Sequence, residues 1–244
     1  MLLFEYKDFL VAGFITTLRL SLAVVGGATL FAIVLTAGLS LRSPLLSRPC
    51  RLLVEVLRDI PLIVTVFLIY FVMPELGFSL DPFWSSTVAV SLWGGANGAY
   101  VIRAGLVAVP MGQREAATAF GLRGWRGLIL IVLPQAMPVI LPPYVGLVTA
   151  WVQATSLGAV VGANELLRSG QVIIEQTTIS TGRSPAFLVY GFILVVYFVL
   201  CWLISCGGRV VERHFDKHRL PMRTGAAPSD VGVLSALGPV DGRT

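Results

Sequence analysis

The chain contains almost no lysine. Among its 244 residues only Lys7 and Lys217 are lysines, and neither follows a glycine-rich loop. A P-loop requires a lysine directly after such a loop, where the side chain reaches the phosphates of the nucleotide. We therefore expect that the chain does not hydrolyse ATP by itself.

Charged residues of either sign are also scarce. They make up 13% of the chain, against 56% hydrophobic residues, and the mean hydropathy is +0.84. A chain this apolar cannot cover itself with a water-soluble surface. The composition predicts a polytopic membrane protein, and the length of its apolar runs predicts an all-α fold.

Cysteine and histidine are too few to suggest a metal centre. Cys50, Cys201 and Cys206 lie in or beside apolar segments without metal-site or disulfide spacing, so we interpret them as small apolar fillers. His214 and His218 are four residues apart and share a helical face. No third ligand accompanies them, so a solvated helix beside the membrane is expected there, and no metal.

Five apolar runs approach the length that crosses a bilayer core as a helix. They cover about 10–40, 57–73, 85–109, 128–151 and 187–205. No basic region of a cleaved signal peptide precedes the first run, so that span is expected to be retained. The fourth run contains Pro134, Pro138, Pro142 and Pro143 and is therefore not expected to be one straight, fully hydrogen-bonded rod. Residues 152–186 are of mixed composition, and a short helix that dips toward the membrane is expected over 157–167.

Basic residues accumulate in three connections. These are Arg42, Arg48, Arg51 and Arg58 in the first, Arg103, Arg114, Arg123 and Arg126 in the third, and Arg209, Arg213, Lys217 and Arg219 after the last span. The second connection, "PELGFSLDP", contains acids and no base. The positive-inside rule then predicts an external N-terminus and a cytoplasmic C-terminus. Residues 1–219 are predicted to form the membrane domain, and 220–244 a disordered cytoplasmic tail.

The third connection, about 110–127, begins as a short amphipathic helix. Pro110 suits its start and Gly121 the left-handed position after its end. Between them, Ala116, Ala117 and Ala119 present little bulk, and Glu115 offers one negative charge. Such a helix suits docking into a cleft of a partner, or tethering two spans with Trp125 as an anchor in the lipid headgroup region.

The spacing of this loop resembles a known pattern. Glu115-Ala116-Ala117, three residues, Gly121, nine residues, Ile131, one residue and Leu133-Pro134 reproduce the EAA loop of permease subunits of bacterial ABC importers. Further segments resemble the polar amino acid and opine uptake branch of that family. They are "FITTLRLSL" (14–22), "RDIPLIVTVFLIYF" (58–71), "VPMGQREAA" (109–117), "VLPQAMPVILPP" (132–143) and "QATSLGAVVGANELL" (153–167).

The resemblance implies a fold, a location and partners. The fold is that of a type I importer permease in the bacterial inner membrane, with about five transmembrane helices and a cytoplasmic coupling helix. That helix sits in a groove of a separate ATP-binding subunit, which occurs as a dimer and carries ATP and magnesium, while this chain binds no cofactor. A second permease subunit, identical or paralogous, and an extracytoplasmic solute-binding protein complete the importer. The coupling residues are Glu115, Ala116, Ala117, Gly121, Leu133 and Pro134.

Departures from the family pattern bear on the transported solute. The family's usual tyrosine and acid fall on Asn97 and Tyr100, its lysine on Gln153 and a glutamine on Thr65. The loss of the acid argues against a cationic amino acid and favours a neutral or zwitterionic solute, an opine, or an ectoine-like compatible solute. Candidate pathway residues are Thr65, Asn97, Tyr100, Gln153, Thr155 and Ser156.

Each polar residue in a span also has a structural interpretation. Asn97 either lines the pathway or joins two helices, and Gly94 and Gly98 are expected to serve helix packing. Thr155 and Ser156 either line the pathway or bond back to their own helix.

Glu165 and Glu175 lie in the mixed segment between the fourth and fifth spans. They are expected in a solvated outer loop, or in contact with a solute-binding protein.

An ion channel or a membrane-embedded enzyme is the alternative function. The sequence shows neither a repeated pore loop nor a convergent catalytic set.

Overall fold

The computed structural model describes residues 2–41 and 43–216, and these residues form helices without any β-strand. The α-helices are α1 (Leu2–Glu5), α2 (Lys7–Leu39), α3 (Pro44–Asp59), α4 (Leu62–Phe67), α5 (Pro82–Ala108), α6 (Met111–Ala119), α7 (Trp125–Gly127), α8 (Leu133–Ala154), α9 (Leu166–Thr181) and α10 (Ala186–Asp216). The predicted all-α fold is confirmed. The predicted tail, 220–244, and His218 lie outside the described residues.

Each predicted span coincides with helical structure, but the second, predicted over 57–73, is broken at Ile60 and Pro61 between α3 and α4. Within the described residues, three helical stretches are long and apolar enough to cross a membrane: Lys7–Leu39, Trp125–Val161 and Ala186–Phe215. The second predicted span corresponds to the shorter apolar stretch Leu62–Leu76, which begins directly after Pro61. The third corresponds to α5, whose 27 residues are long enough to cross but are interrupted by small and polar side chains.

The fourth span changes its helical geometry along its length. It consists of α7, a π-helical segment over Leu128–Val132, α8, and a 3-10 segment over Thr155–Val161. The π-helical segment ends directly before Leu133 and Pro134, and the three later prolines lie inside α8 without ending it. The span therefore departs from regular α-helical hydrogen bonding at both ends of its proline-rich part, as its sequence predicts.

The core forms where α5 packs against α2 and α8. A side-chain carbon at Gly94 would lie 2.7 Å from Nε1 of Trp151, and one at Gly98 would lie 2.9 Å from the methyl group of Ala32. Trp151 itself is fully buried between these helices. The absence of side chains at the two glycines thus lets a large indole and a neighbouring helix approach α5, which confirms their expected packing role.

The segment between the fourth and fifth spans differs from the prediction. The short helix expected over 157–167 is instead a 3-10 segment that ends at Gly162, where φ is +88°. The 16-residue helix α9 then follows, and it ends at Gly182 in a left-handed conformation. The sequence of α9 is amphipathic and contains too many polar residues to form an apolar run of membrane-spanning length. A search for apolar runs therefore misses this helix.

Candidate coupling helix and translocation pathway

The loop with the predicted coupling motif folds as the expected short helix. Pro110 precedes α6 directly, and the nine residues of α6 are followed by Phe120 and by Gly121, whose φ is +77°. The N–H of Gly121 donates to the carbonyl of Thr118, and the N–H of Leu122 donates to the carbonyl of Ala117. Glycine at this left-handed position therefore ends the helix and turns the chain toward α7.

One face of α6 is attached to the rest of the chain. The guanidinium of Arg114 donates to the carbonyl of Leu106 at the end of α5. The side-chain amide of Gln135 on α8 donates to that of Gln113 at 3.3 Å. Ala117 is buried, and it lies near Gly127 of α7. These contacts fasten α6 to both flanking spans.

The opposite face of α6 is open. Gly112, Glu115, Ala116 and Ala119 are all exposed, so this surface consists of small side chains and one carboxylate. Ala117 does not belong to it, which corrects the expectation that all three alanines admit a partner. The reason is helical periodicity, because Ala117 is about 160° around the axis from Glu115 and faces the chain's own interior.

The end of the coupling motif lies close to α6. Leu133 is half-buried and Pro134 is exposed at the start of α8, one residue before Gln135. The hydrogen bond from Gln135 to Gln113 therefore joins the two ends of the motif. Trp125, the proposed headgroup anchor, is 67% exposed, and the guanidinium of Arg126 lies 5.6 Å from its ring centre.

Two predicted pathway residues meet a third residue that was predicted only as a loop charge. The Nε–H of Arg58, in the last turn of α3, donates to Oδ1 of Asn97 on α5 at 3.3 Å. The guanidinium carbon of Arg58 also lies 4.5 Å from the centre of the Tyr100 ring. Asn97 donates in turn to the carbonyl of Trp93 at 2.9 Å. Asn97 thus joins α3 to α5, while Tyr100 is 58% exposed.

The other predicted pathway residues are dispersed. Thr65 is buried in α4, and Gln153 is exposed. The hydroxyl of Thr155 donates to the carbonyl of Val152 at 2.7 Å, and that of Ser156 donates to the carbonyl of Gln153 at 2.8 Å. Both hydroxyls therefore bond back to their own helix, which is the structural interpretation of these residues.

Glu165 is neither solvated nor open to a binding protein, and that expectation is wrong. Its side chain is fully buried and caps α9, accepting hydrogen bonds from the N–H groups of Leu167 (2.9 Å) and Arg168 (2.8 Å). The hydroxyl of Tyr197 on α10 donates to the same carboxylate at 2.9 Å, and that of Thr17 on α2 approaches it at 3.5 Å. The carboxylate is buried because the three donors at 2.8–2.9 Å compensate for the loss of water, whereas the Thr17 hydroxyl donates to the nearer carbonyl of Gly13 at 3.1 Å. Glu175 is exposed on α9.

Arg58 is the residue that sequence reasoning misses. Its position in the sequence predicts one more arginine of the first connection, yet it lies half-buried against α5. One feature of the sequence points to it: it is the last basic residue before Ile60-Pro61, where α3 ends and the apolar helix α4 begins.

Comparison with known proteins agrees with this arrangement. The chain is 30% identical over 208 residues to the probable glutamine ABC transporter permease protein GlnP of Bacillus subtilis (strain 168), covering 85% of this chain and 94% of the relative. It is 32% identical over 165 residues to the L-cystine transport system permease protein TcyB of the same strain, covering 68% of each. The solved structure titled "Crystal structure of an amino acid ABC transporter with histidines" superposes with a TM-score of 0.77 at 26% identity, covering 87% of this chain and 96% of that one.

The family assignment rests on most of the chain. Residues 28–217 match the family described as "Binding-protein-dependent transport system inner membrane component". This range includes α6, the fourth and fifth spans, and the contact between Arg58, Asn97 and Tyr100. The resemblance to importer permease subunits is confirmed. The chain belongs to the family of inner-membrane components of binding-protein-dependent transport systems.

Proposed function

We propose that this chain forms the membrane pathway of an ATP-driven importer of amino acids and transmits to it the movements of a separate ATPase. The observation that carries the coupling role is the two-sided character of α6. Its inner face is hydrogen-bonded to α5 and α8, whereas its outer face presents Glu115 among glycine and alanine. A surface with such small side chains lets a partner approach the helix backbone closely.

The contacts of α6 suggest how movement is transmitted. Arg114 bonds to the end of α5 and Gln113 to the start of α8, so a displacement of α6 pulls on both helices. These two helices also pack against each other through Gly94, Gly98 and Trp151. A rigid core of this kind passes a displacement at one end to the rest of the span. We propose that closure of two ATP-binding subunits moves α6 and opens the pathway outward, and that hydrolysis resets it.

The proposed assembly contains four further proteins. Two ATP-binding subunits carry ATP and magnesium, a second permease subunit completes the pathway, and a solute-binding protein delivers cargo from outside. This arrangement needs an external N-terminus and a cytoplasmic C-terminus, which the distribution of arginine supports.

A neutral amino acid is the proposed cargo. The names of the relatives, which refer to glutamine and L-cystine, support it. The sequence supports it too, because Tyr100 occupies the position of an acid that would suit a cationic solute. An opine or an ectoine-like compatible solute is the alternative, and a transport panel distinguishes these cargoes.

The coupling role is tested by reversing the charge on the open face of α6. Glu115→Lys is compared with the wild type after mild extraction of the tagged complex, measuring the recovered ATP-binding subunit and the ATPase activity with each solute. We expect Glu115→Lys to lose most of the ATP-binding subunit while the permease chain keeps its thermal unfolding temperature.

The matched control is Glu175→Lys, which makes the same charge reversal at an exposed glutamate of α9. This variant should recover as much ATP-binding subunit as the wild type. The coupling role would be contradicted if Glu115→Lys recovered as much ATP-binding subunit as the wild type and its ATPase activity were stimulated equally by the cargo.

A further inference from the structure

The guanidinium of Arg58 is only partly satisfied by its neighbours. Its Nε–H group bonds to Asn97, and one face of its plane lies over Tyr100. Neither Nη1 nor Nη2 has a hydrogen-bond acceptor, and no carboxylate forms an ion pair with Arg58, among residues 2–41 and 43–216. Arginine carries five N–H donors and keeps its charge in proteins. The terminal fork of Arg58 is therefore free to accept an anion.

This free charge lies deep in the membrane domain. Asn97 is 11 residues before the end of α5 at Ala108. It is also 15 residues after the start of α5 at Pro82, so at the rise of an α-helix Asn97 lies about 22 Å from one end of this helix and about 16 Å from the other. Charged side chains at such depth face a protein interior or a water-filled cavity, because exposure to lipid is costly. The half-buried Arg58 and the exposed Tyr100 thus mark a polar face of α5.

The geometry suits a carboxylate. Asn97 and Tyr100 are three residues apart on α5, so they hold the guanidinium from its edge and from its face. With Nε occupied, the fork of Nη1 and Nη2 remains, and a guanidinium fork matches the two oxygens of a carboxylate. A carboxylate is the group that every amino acid cargo carries.

We propose that Arg58, held by Asn97 and Tyr100, binds the carboxylate of the cargo midway along the translocation pathway. This inference rests on the proposed function, since it assigns a substrate contact within that pathway. Arg58 supplies the charge and the donors, whereas Asn97 and Tyr100 act as positioning residues for its side chain. The site compensates the cargo's negative charge where water is scarce, which lowers the cost of crossing.

The first test measures uptake of labelled L-glutamine by the complete complex with its solute-binding protein in proteoliposomes. Arg58→Gln should lower uptake about tenfold or more, the expected loss for a charge-assisted hydrogen-bonded pair. Uptake by Arg58→Lys should lie between that of the wild type and that of Arg58→Gln, because lysine keeps the charge and loses the guanidinium fork. The control Arg51→Gln alters an exposed arginine of the same helix and should leave uptake unchanged.

The second test requires no knowledge of the cargo. In a complex whose Cys50, Cys201 and Cys206 are alanines, Tyr100→Cys is treated with an anionic and a cationic methanethiosulfonate reagent. The anionic reagent should react about tenfold faster, because Arg58 attracts it. Adding Arg58→Gln should remove that preference, and adding Arg51→Gln should not.

The outcomes separate this inference from the proposed function. If the wild-type complex transports no amino acid, the proposed function fails. If the wild type transports L-glutamine and Arg58→Gln does so equally well, only the carboxylate site is overturned. Equal rates for the two reagents would also overturn the carboxylate site, because Arg58 would then exert no field at position 100. No reaction in the assembled complex would overturn it too, because position 100 would then face lipid or another subunit and not the pathway.

Discussion

The hydroxyl of Tyr197 donates a hydrogen bond of 2.9 Å to the buried carboxylate of Glu165. Glu165 caps α9 through two backbone N–H groups. Thr17 of α2 accepts from the N–H of Leu166 at 3.0 Å, and its hydroxyl lies 3.5 Å from the carboxylate while donating to Gly13 at 3.1 Å. The start of α9 is thus joined to the fifth span through Glu165 and to the first span through Thr17. The network holds α9 in place against the bundle.

Tyr197→Phe should destabilise the protein by about 1.5–3 kcal/mol, the usual contribution of a hydrogen bond to a charged group. Glu165→Ala should cost more, because it also removes the cap of α9 and leaves the hydroxyl of Tyr197 without its acceptor. Thermal unfolding of the purified chain in detergent measures both effects. Tyr190→Phe, at an exposed tyrosine of the same helix, is the control and should not change the unfolding temperature. Equal unfolding temperatures for all four proteins would contradict the role of the network.

Gly94→Ala should destabilise the bundle by about 1–3 kcal/mol, the usual cost of overpacking a core. The added methyl group would lie 2.7–3.0 Å from atoms of the Trp151 indole, which is fully buried. Gly26→Ala is the matched control, because no atom lies within 4 Å of a methyl group added there. That variant should be neutral or more stable, since alanine favours helix over glycine. The prediction fails if both variants unfold at the same temperature.

Two alanines of α6 should respond in opposite ways to substitution by leucine. Ala117→Leu should lower the unfolding temperature of the isolated chain, because Ala117 is buried beside Gly127. Ala119→Leu should leave that temperature unchanged and reduce recovery of the ATP-binding subunit, because Ala119 lies on the open face. Unfolding curves and quantitative co-purification measure the two properties separately. The assignment of faces would be contradicted if Ala117→Leu kept the wild-type unfolding temperature, or if Ala119→Leu recovered as much ATP-binding subunit as the wild type.

Much of the fold follows from local patterns in the sequence. Apolar runs predict the spans because burial in lipid requires about twenty apolar residues, whatever their partners. Pro110 and Gly121 predict the limits of α6 because each restricts or permits a particular backbone conformation. The spacing of Gly94 and Gly98 predicts close packing for the same local reason.

The rest depends on contacts between distant segments. Glu165 meets Thr17 across 148 positions and Tyr197 across 32, and Arg58 meets Asn97 across 39. In one sequence, a buried glutamate that caps a helix cannot be distinguished from a solvated one. An arginine directed into the bundle likewise resembles one in a cytoplasmic loop. These two residues were therefore placed wrongly or missed.

ATP-driven uptake tests the central claim most directly. Proteoliposomes containing the wild-type complex, with ATP inside and the solute-binding protein outside, are assayed with labelled L-glutamine and a panel of neutral and cationic amino acids, opines and ectoine. We predict accumulation of a neutral amino acid against its gradient, dependent on ATP and on the binding protein, and lost in Glu115→Lys. Solute flux that needs neither ATP nor the binding protein would contradict the account and indicate a channel.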